Sequence, residues 1–339
     1  MSDSPCHPDA ADRRPGSPEP LDRATLAFYN DEFIDSPDGR LFRILAEYQE
    51  PLVRFRSERI ADTVVFFGSA RFLALDEAHH ELQLLENTGS VNLAPQHEQP
   101  ASADQLASGN ASVLRLSLAE AAVDMAAYYE DARKLAYMVS TWAKALPGPR
   151  HRFVITSGGG PGIMEAANRG AWEAGAKTIG LNIKLPFEQC PNPWITPELN
   201  FEFKYFFMRK FWFAYMAKAL VVFPGGFGTI DEMFEILTLA QTHKLETQLT
   251  VIVYGSKYWK SVLNFEFLAA SGAIAQKDLS LFQFADTPDE AFALLLAGLT
   301  PHIAHHQHAA HEAAAGTVPD APLPAAQEIL GPDLNKSTA

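Results

Sequence analysis

The stretch Val221-Val222-Phe223-Pro224-Gly225-Gly226-Phe227-Gly228-Thr229-Ile230-Asp231-Glu232 decides how this chain is read. The apolar residues form the end of a buried strand, the glycines make a tight turn, and a helix begins beyond it. Gly225, Gly226 and Gly228 leave the N–H groups of the turn uncovered by side chains. The helix N-terminus adds unpaired donors and a partial positive charge, so the turn suits an anion such as phosphate. Glu232 follows about one helical turn in, beside whatever the turn holds. A phosphate cradle with a carboxylate next to it suggests chemistry on a nucleotide.

Another turn of the same kind lies upstream. Phe153-Val154-Ile155-Thr156 reads as a short buried strand, Ser157-Gly158-Gly159-Gly160-Pro161-Gly162 as the turn, and Ile163 to Ala171 as a helix with Glu165 near its start. A single glycine turn serves tight packing as readily as a ligand. Two of them, each leading into a helix with an early glutamate, point to a ligand at the ends of the strands.

Strand patterns at 63–67, 153–156, 178–183, 219–223 and 249–254 alternate with helical ones. The alternation predicts an α/β fold: a Rossmann-like parallel sheet with helices on both faces. Leu41, Ile44, Leu45, Tyr48, Leu52 and Phe55 recur at helical spacing and predict an extra N-terminal helix packed on the core. The expected organisation is a disordered tail over 1–20, a helical extension over 21–60 and one domain over 61–299. Within that domain an Asn/Gln/Pro/Ser/Ala-rich loop is inserted at about 84–109, followed by a long helix over 117–146. A flexible Ala/His/Pro-rich tail is expected over 300–339.

Composition narrows the function classes. The 339 residues are 47% apolar, ample for a large core. A net charge of −14 without a basic stripe argues against a nucleic-acid partner. Cys6 and Cys190 are the two cysteines, so no disulfide framework is expected. No apolar run of membrane-spanning length occurs and the first twenty residues are polar and proline-rich, which leads to the expectation of a cytoplasmic protein with no membrane partner. His302, His305, His306, His308 and His311 form a histidine cluster, read as a solvated tail; no metal and no cofactor is assigned.

Other nucleotide readings fit less well. The Gly-Lys-Ser/Thr ending of a Walker loop is absent. A dinucleotide fold needs an acidic residue at the end of the strand after its glycine turn, and here the strand 178–183 ends in Lys184. Pyridoxal phosphate chemistry needs a lysine within a cofactor pattern that Lys184 and Lys210 lack.

Gly158 to Asn168 paired with Pro224 to Glu232 resembles the LOG (Lonely Guy) family, whose members are often labelled lysine decarboxylases. Pro224 through Glu232 match that family's PGGxGTxxE pattern without a gap, and Arg209-Lys210 match its arginine–lysine pair. Phe66-Phe67-Gly68-Ser69-Ala70-Arg71 resembles its opening strand and turn, although the family more often has a cysteine and a second serine there. The likeness covers roughly 63–299.

The resemblance implies a hydrolase, an N-glycosidase that splits a nucleoside 5′-monophosphate into free base and ribose 5-phosphate. AMP and cytokinin riboside 5′-monophosphate are the two substrates it leaves open, corresponding to AMP nucleosidase activity or cytokinin biosynthesis. By this likeness Arg209 and Glu232 are catalytic, with Glu232 activating water or stabilising charge and Arg209 orienting the substrate. Gly225, Gly226, Gly228 and Thr229 hold the phosphate. Gly159, Gly160 and Glu165 complete the pocket, with Lys210 and Asp231 as weaker members. The family's habit of forming dimers or larger assemblies implies a homo-oligomer, for which the aromatic helix 206–217 offers an apolar face. A non-catalytic nucleotide-binding sensor on the same fold is the alternative. It would need the glycines but not the Arg209–Glu232 pair.

Overall fold

In the computed structural model, which describes residues 24–88, 110–185, 190–244 and 249–314, seven strands form one all-parallel sheet. They are β1 (Thr63–Phe67), β2 (Val154–Ser157), β3 (Thr178–Ile183), β4 (Asn200–Phe203), β5 (Ala217–Val222), β6 (Thr250–Tyr254) and β7 (Gln283–Ala285). Their order is β4-β3-β2-β1-β5-β6-β7, so the chain lays strands outward from β1 on one side and then returns to β5 on the other. β1 therefore pairs with both β2 and β5, and the strand order reverses between β1 and β5. That is the place where open α/β sheets leave a crevice for ligands.

The helices are α1 (Asp31–Asp35), α2 (Arg40–Ser57), α3 (Leu75–Thr88), α4 (Asn110–Lys144), α5 (Ile163–Glu173), α6 (Phe206–Tyr215), α7 (Phe227–Gln241), α8 (Ser256–Val262), α9 (Phe265–Ala270) and α10 (Pro288–Ala314). Strands buried on both faces need cover on both. Val64 and Phe66 of β1 join Tyr129 and Leu135 of α4, Ile163 of α5 and Leu295 of α10 in one apolar cluster. Phe67 points the other way and meets Phe213 of α6 edge-on, 4.8 Å between ring centres.

The chain divides into Met1–Glu50 and Pro51–Ala339. In the first unit Asn30 caps α1 by accepting the Phe33 N–H at 3.2 Å. The Arg43 guanidinium there donates to the carbonyls of Ile34 and Ser36. Of the apolar α2 residues expected on a packed face, Leu41 and Leu45 are exposed, and the packing in the second unit comes from the last turns of the helix. Leu52 and Phe55 are buried, and Phe55 meets Phe201 at 5.0 Å and Trp212 at 5.4 Å.

Three sequence expectations shift. The inserted loop does not begin at 84, because α3 continues through Thr88; 89–109 lie outside the described residues. The flexible tail does not begin at 300, because α10 continues through His302 to Ala314 despite Pro301 within it. The Ala-rich composition there favours a helix as much as a coil. The edge strands β4 and β7 were not anticipated: at four and three residues they are too short for alternation to stand out. The N-terminal tail 1–20 and residues 315–339 lie outside the described residues.

Candidate active site

The turns after β1, β2 and β5 meet at the reversal point and are joined through one residue. Ser69, after β1, donates its N–H to the Pro224 carbonyl at 3.0 Å, and its own carbonyl accepts from the Ile163 N–H at 3.0 Å. Ser69 thus fixes both glycine turns at once.

The first turn is held by buried amides. Ser157 Oγ accepts from the Gly159 N–H at 3.1 Å and donates to Asn168 Oδ1 at 2.6 Å. Asn192 donates its backbone N–H to the Gly159 carbonyl at 2.8 Å, and its Nδ2 lies 3.0 Å from the Gly160 carbonyl and 2.9 Å from Asn168 Oδ1. Gly159 has φ of +77°, and a Cβ there would strike the Asn182 amide, so conformation and space both require glycine.

The second turn runs from Phe223 to Gly226, and α7 begins at Phe227. A Cβ on Gly225 would collide with the buried Thr229 side chain. Gly226 and Gly228 are different: a Cβ on either would meet nothing within 4 Å. Their backbone faces open space at the start of a helix, the arrangement that leaves N–H groups available to an anion.

Arg209 lies on α6, with Nε donating to the Leu181 carbonyl at 2.7 Å and Nη2 to the Gly158 carbonyl at 3.4 Å. A Cβ on Gly158 would run into this guanidinium and the Met164 sulfur. Nη1 is 3.7 Å from Glu232 Oε1, with side-chain exposures of 12% and 17%. At that separation the pair attracts electrostatically but is too long for a hydrogen bond. Burial pushes the Glu232 carboxyl up to about 7, and the Arg209 charge only partly offsets it. The same burial lowers the affinity of Arg209 for its proton, which the Glu232 charge opposes. A carboxyl that changes charge near neutrality is suited to proton transfer.

The remaining expected site residues divide. Lys210 is bound outside this pair: its Nζ is 2.7 Å from Asp231 and 2.9 Å from Glu235. Asp231 is well exposed, which fits a surface ion pair just beyond the first turn of α7. Glu165 turns toward α4, where its Oε1 accepts from Tyr129 at 3.2 Å and from Trp194 Nε1 at 3.3 Å. Ser69, Asn182 and Asn192 were not anticipated. Ser69 stood within the resemblance to the family's opening turn, but Asn182 and Asn192 carry no local signal.

Similarity to known proteins covers part of the chain. Residues 164–295, which hold Arg209 and the whole second glycine turn, match the profile of the family described as "Possible lysine decarboxylase". The matched segment contains the glycine turn and the arginine–lysine pair by which the sequence resembles the LOG family. No curated protein matches the chain. Among solved structures, a Moco carrier protein from Chlamydomonas reinhardtii is 22% identical, covering 52% of this chain and 89% of its own, with a TM-score of 0.35. The structural-genomics target TM1055 is 16% identical, covering 69% of this chain and 98% of its own, with a TM-score of 0.36. Among the described residues no helix is long and apolar enough to cross a membrane, and no cluster of three His, Cys, Asp or Glu side chains suits a metal.

Proposed function

We propose that this protein is a LOG-like phosphoribohydrolase acting on a nucleoside 5′-monophosphate, with AMP or a cytokinin riboside 5′-monophosphate as substrate. The observation that carries this reading is the Arg209–Glu232 pair, buried beside a glycine turn whose Gly226 and Gly228 face open space. A protein that only sensed nucleotides would need the turn alone.

In this reading the amides of Gly225, Gly226, Gly228 and Thr229 hold the 5′-phosphate, aided by the field of α7. The C1′–N bond then breaks, with its electron pair leaving on the base and positive charge developing at C1′. Ionised Glu232 stabilises that charge and takes a proton from the attacking water. The water oxygen bonds to C1′, and the proton taken by Glu232 passes on through solvent to the departing base, giving free base and ribose 5-phosphate and restoring the carboxylate. Arg209, fixed by the Leu181 and Gly158 carbonyls, orients the substrate and keeps Glu232 more acidic than burial alone would allow. Gly159 and Gly160 line the neighbouring turn. Glu165 acts by holding Tyr129 and Trp194 in place.

Lysine decarboxylation fits these residues poorly. It uses pyridoxal phosphate on a lysine free to form an imine, whereas the ammonium of Lys210 bridges Asp231 and Glu235. We also propose a homo-oligomer: Phe206 and Phe207 of α6 are about half exposed and Phe227, on the glycine turn, is 93% exposed. Exposed aromatics of this size suit cover by a second copy.

The test is direct. Purified protein incubated with AMP should release adenine and ribose 5-phosphate in equal amounts. Tight AMP binding without product would favour the sensor instead.

A further inference from the structure

The glycine turn is braced from a side that the sequence did not suggest. Gly255, with φ of +86°, carries the chain from β6 into α8, and a Cβ on it would crowd Tyr128 and Pro224. This close approach sets α8 against the turn after β5. Tyr258 of α8 donates its hydroxyl to the Gly225 carbonyl at 3.0 Å. Its ring is fixed edge-on against Trp259, which is fully buried, with centres 5.3 Å apart.

The direction of that bond matters because a trans peptide is planar, with C=O and N–H pointing opposite ways. Gly225 and Gly226 have no side chains, so the plane between them is free to rotate unless something holds it. A bond that draws the Gly225 carbonyl toward Tyr258 turns the Gly226 N–H away from Tyr258. The peptide before it is held in the same manner, by Ser69 donating to the Pro224 carbonyl at 3.0 Å. Two consecutive peptide planes in the turn are therefore oriented, one by Ser69 and the other by Tyr258.

We propose that Tyr258 is a positioning residue for the anion cradle, setting the Gly225–Gly226 peptide so that the Gly226 amide is presented to the substrate phosphate. This rests on the phosphoribohydrolase reading above and extends it to a residue that never touches the substrate. Preorganised donors bind without the cost of ordering the turn, so loss of the hydroxyl should weaken phosphate anchoring and spare the chemistry at C1′.

The experiment uses full-length wild-type protein and Tyr258→Phe, which keeps the ring and removes one oxygen. Ribose 5-phosphate binding is measured by calorimetry, and kcat and KM are measured for AMP. The expected result is a parallel rise in the ribose 5-phosphate Kd and the AMP KM of roughly 5- to 20-fold, from one lost hydrogen bond. Over the same comparison kcat should stay within about twofold, since anchoring is common to ground and transition states. Failure of wild type to bind ribose 5-phosphate would remove the cradle itself, and with it the reading on which the inference rests. Wild-type binding with an unchanged Kd and KM in Tyr258→Phe would overturn the role of Tyr258 alone. A fall in kcat at constant KM, or a variant that does not fold, would overturn it too, by assigning the hydroxyl to catalysis or to the fold.

Discussion

Arg209 and Glu232 face each other across 3.7 Å in a largely buried setting, yet the shorter contact of the guanidinium, 2.7 Å, goes to the Leu181 carbonyl. Arg209 is thus oriented by the sheet rather than by its acidic partner. Glu232 retains a raised affinity for protons, up to about 7, because burial outweighs the neighbouring charge. A buried arginine fixed by main-chain atoms beside a carboxyl poised near neutrality is the arrangement on which the proposed chemistry depends.

Replacing Glu232 by Gln keeps the volume and removes the ionisation. Turnover should fall by roughly 10²–10⁴-fold, the usual effect of losing a positioned acid–base group. Near-normal base release by a folded Glu232→Gln protein would show that the carboxylate has no such role.

The same substitution has a signature in stability. An acid whose folded pKa stands above its unfolded value binds more protons folded than unfolded between the two, so its contribution to stability declines as pH rises through that window. For Glu232 the window runs from the ordinary 4.5 to about 7. Relative to wild type, Glu232→Gln should therefore gain stability as pH rises from 4.5 to 8, by an amount on the order of 1–3 kcal/mol. Denaturant midpoints across that range test it; a difference independent of pH would place the Glu232 pKa near its ordinary value.

Activity should follow the same ionisation. With Glu232 acting as a base, the acidic limb of kcat/KM should bend near pH 7. Arg209→Ala should cut hydrolysis strongly, and Arg209→Lys should restore only part of it, because an ammonium cannot donate to the Leu181 and Gly158 carbonyls in the planar fork of a guanidinium. Any residual activity of Arg209→Ala should have its limb moved to higher pH, since the Arg209 charge is what holds the Glu232 pKa down. Full activity per folded molecule in Arg209→Ala would remove the arginine from the mechanism.

The glycines of the second turn should separate by role. Gly225→Ala forces a Cβ into the Thr229 side chain and should cost about 1–3 kcal/mol of stability, as overpacking does. Gly226→Ala places its Cβ in open space and at an ordinary φ of −88°, so the protein should fold as wild type. Its effect should instead be on substrate binding, by covering the amides that face the phosphate. Equal melting temperatures for the two variants would contradict this division.

What the sequence made legible was local. The turn from Val221 to Glu232 combines strand end, glycines and helix start within one contiguous stretch, and each signal survives intact in β5 and α7. The meeting of Arg209 with Glu232 depends on how α6 and α7 pack over the sheet, and only the family resemblance suggested it. Asn192, flanked by prolines, gave no sign that it would brace the Gly159 and Gly160 carbonyls. Tyr258 was equally silent, since its bond to Gly225 joins residues on separate strand-to-helix connections. Glu165 follows its glycine turn as Glu232 does, and its carboxylate accepts from Tyr129 and Trp194, contacts with no local sequence signal.

The most direct measurement of the central claim is kcat/KM for AMP against adenosine, followed by release of adenine from full-length protein. Phosphate held by main-chain amides contributes charge-assisted hydrogen bonds, and at ~1.5–3 kcal/mol each two of them give AMP a preference of roughly a hundredfold or more. That preference, with ribose 5-phosphate as the second product, is the expected result. Equal kcat/KM for the two substrates, or no adenine from either, would contradict it and leave the Gly225–Thr229 turn a structural element.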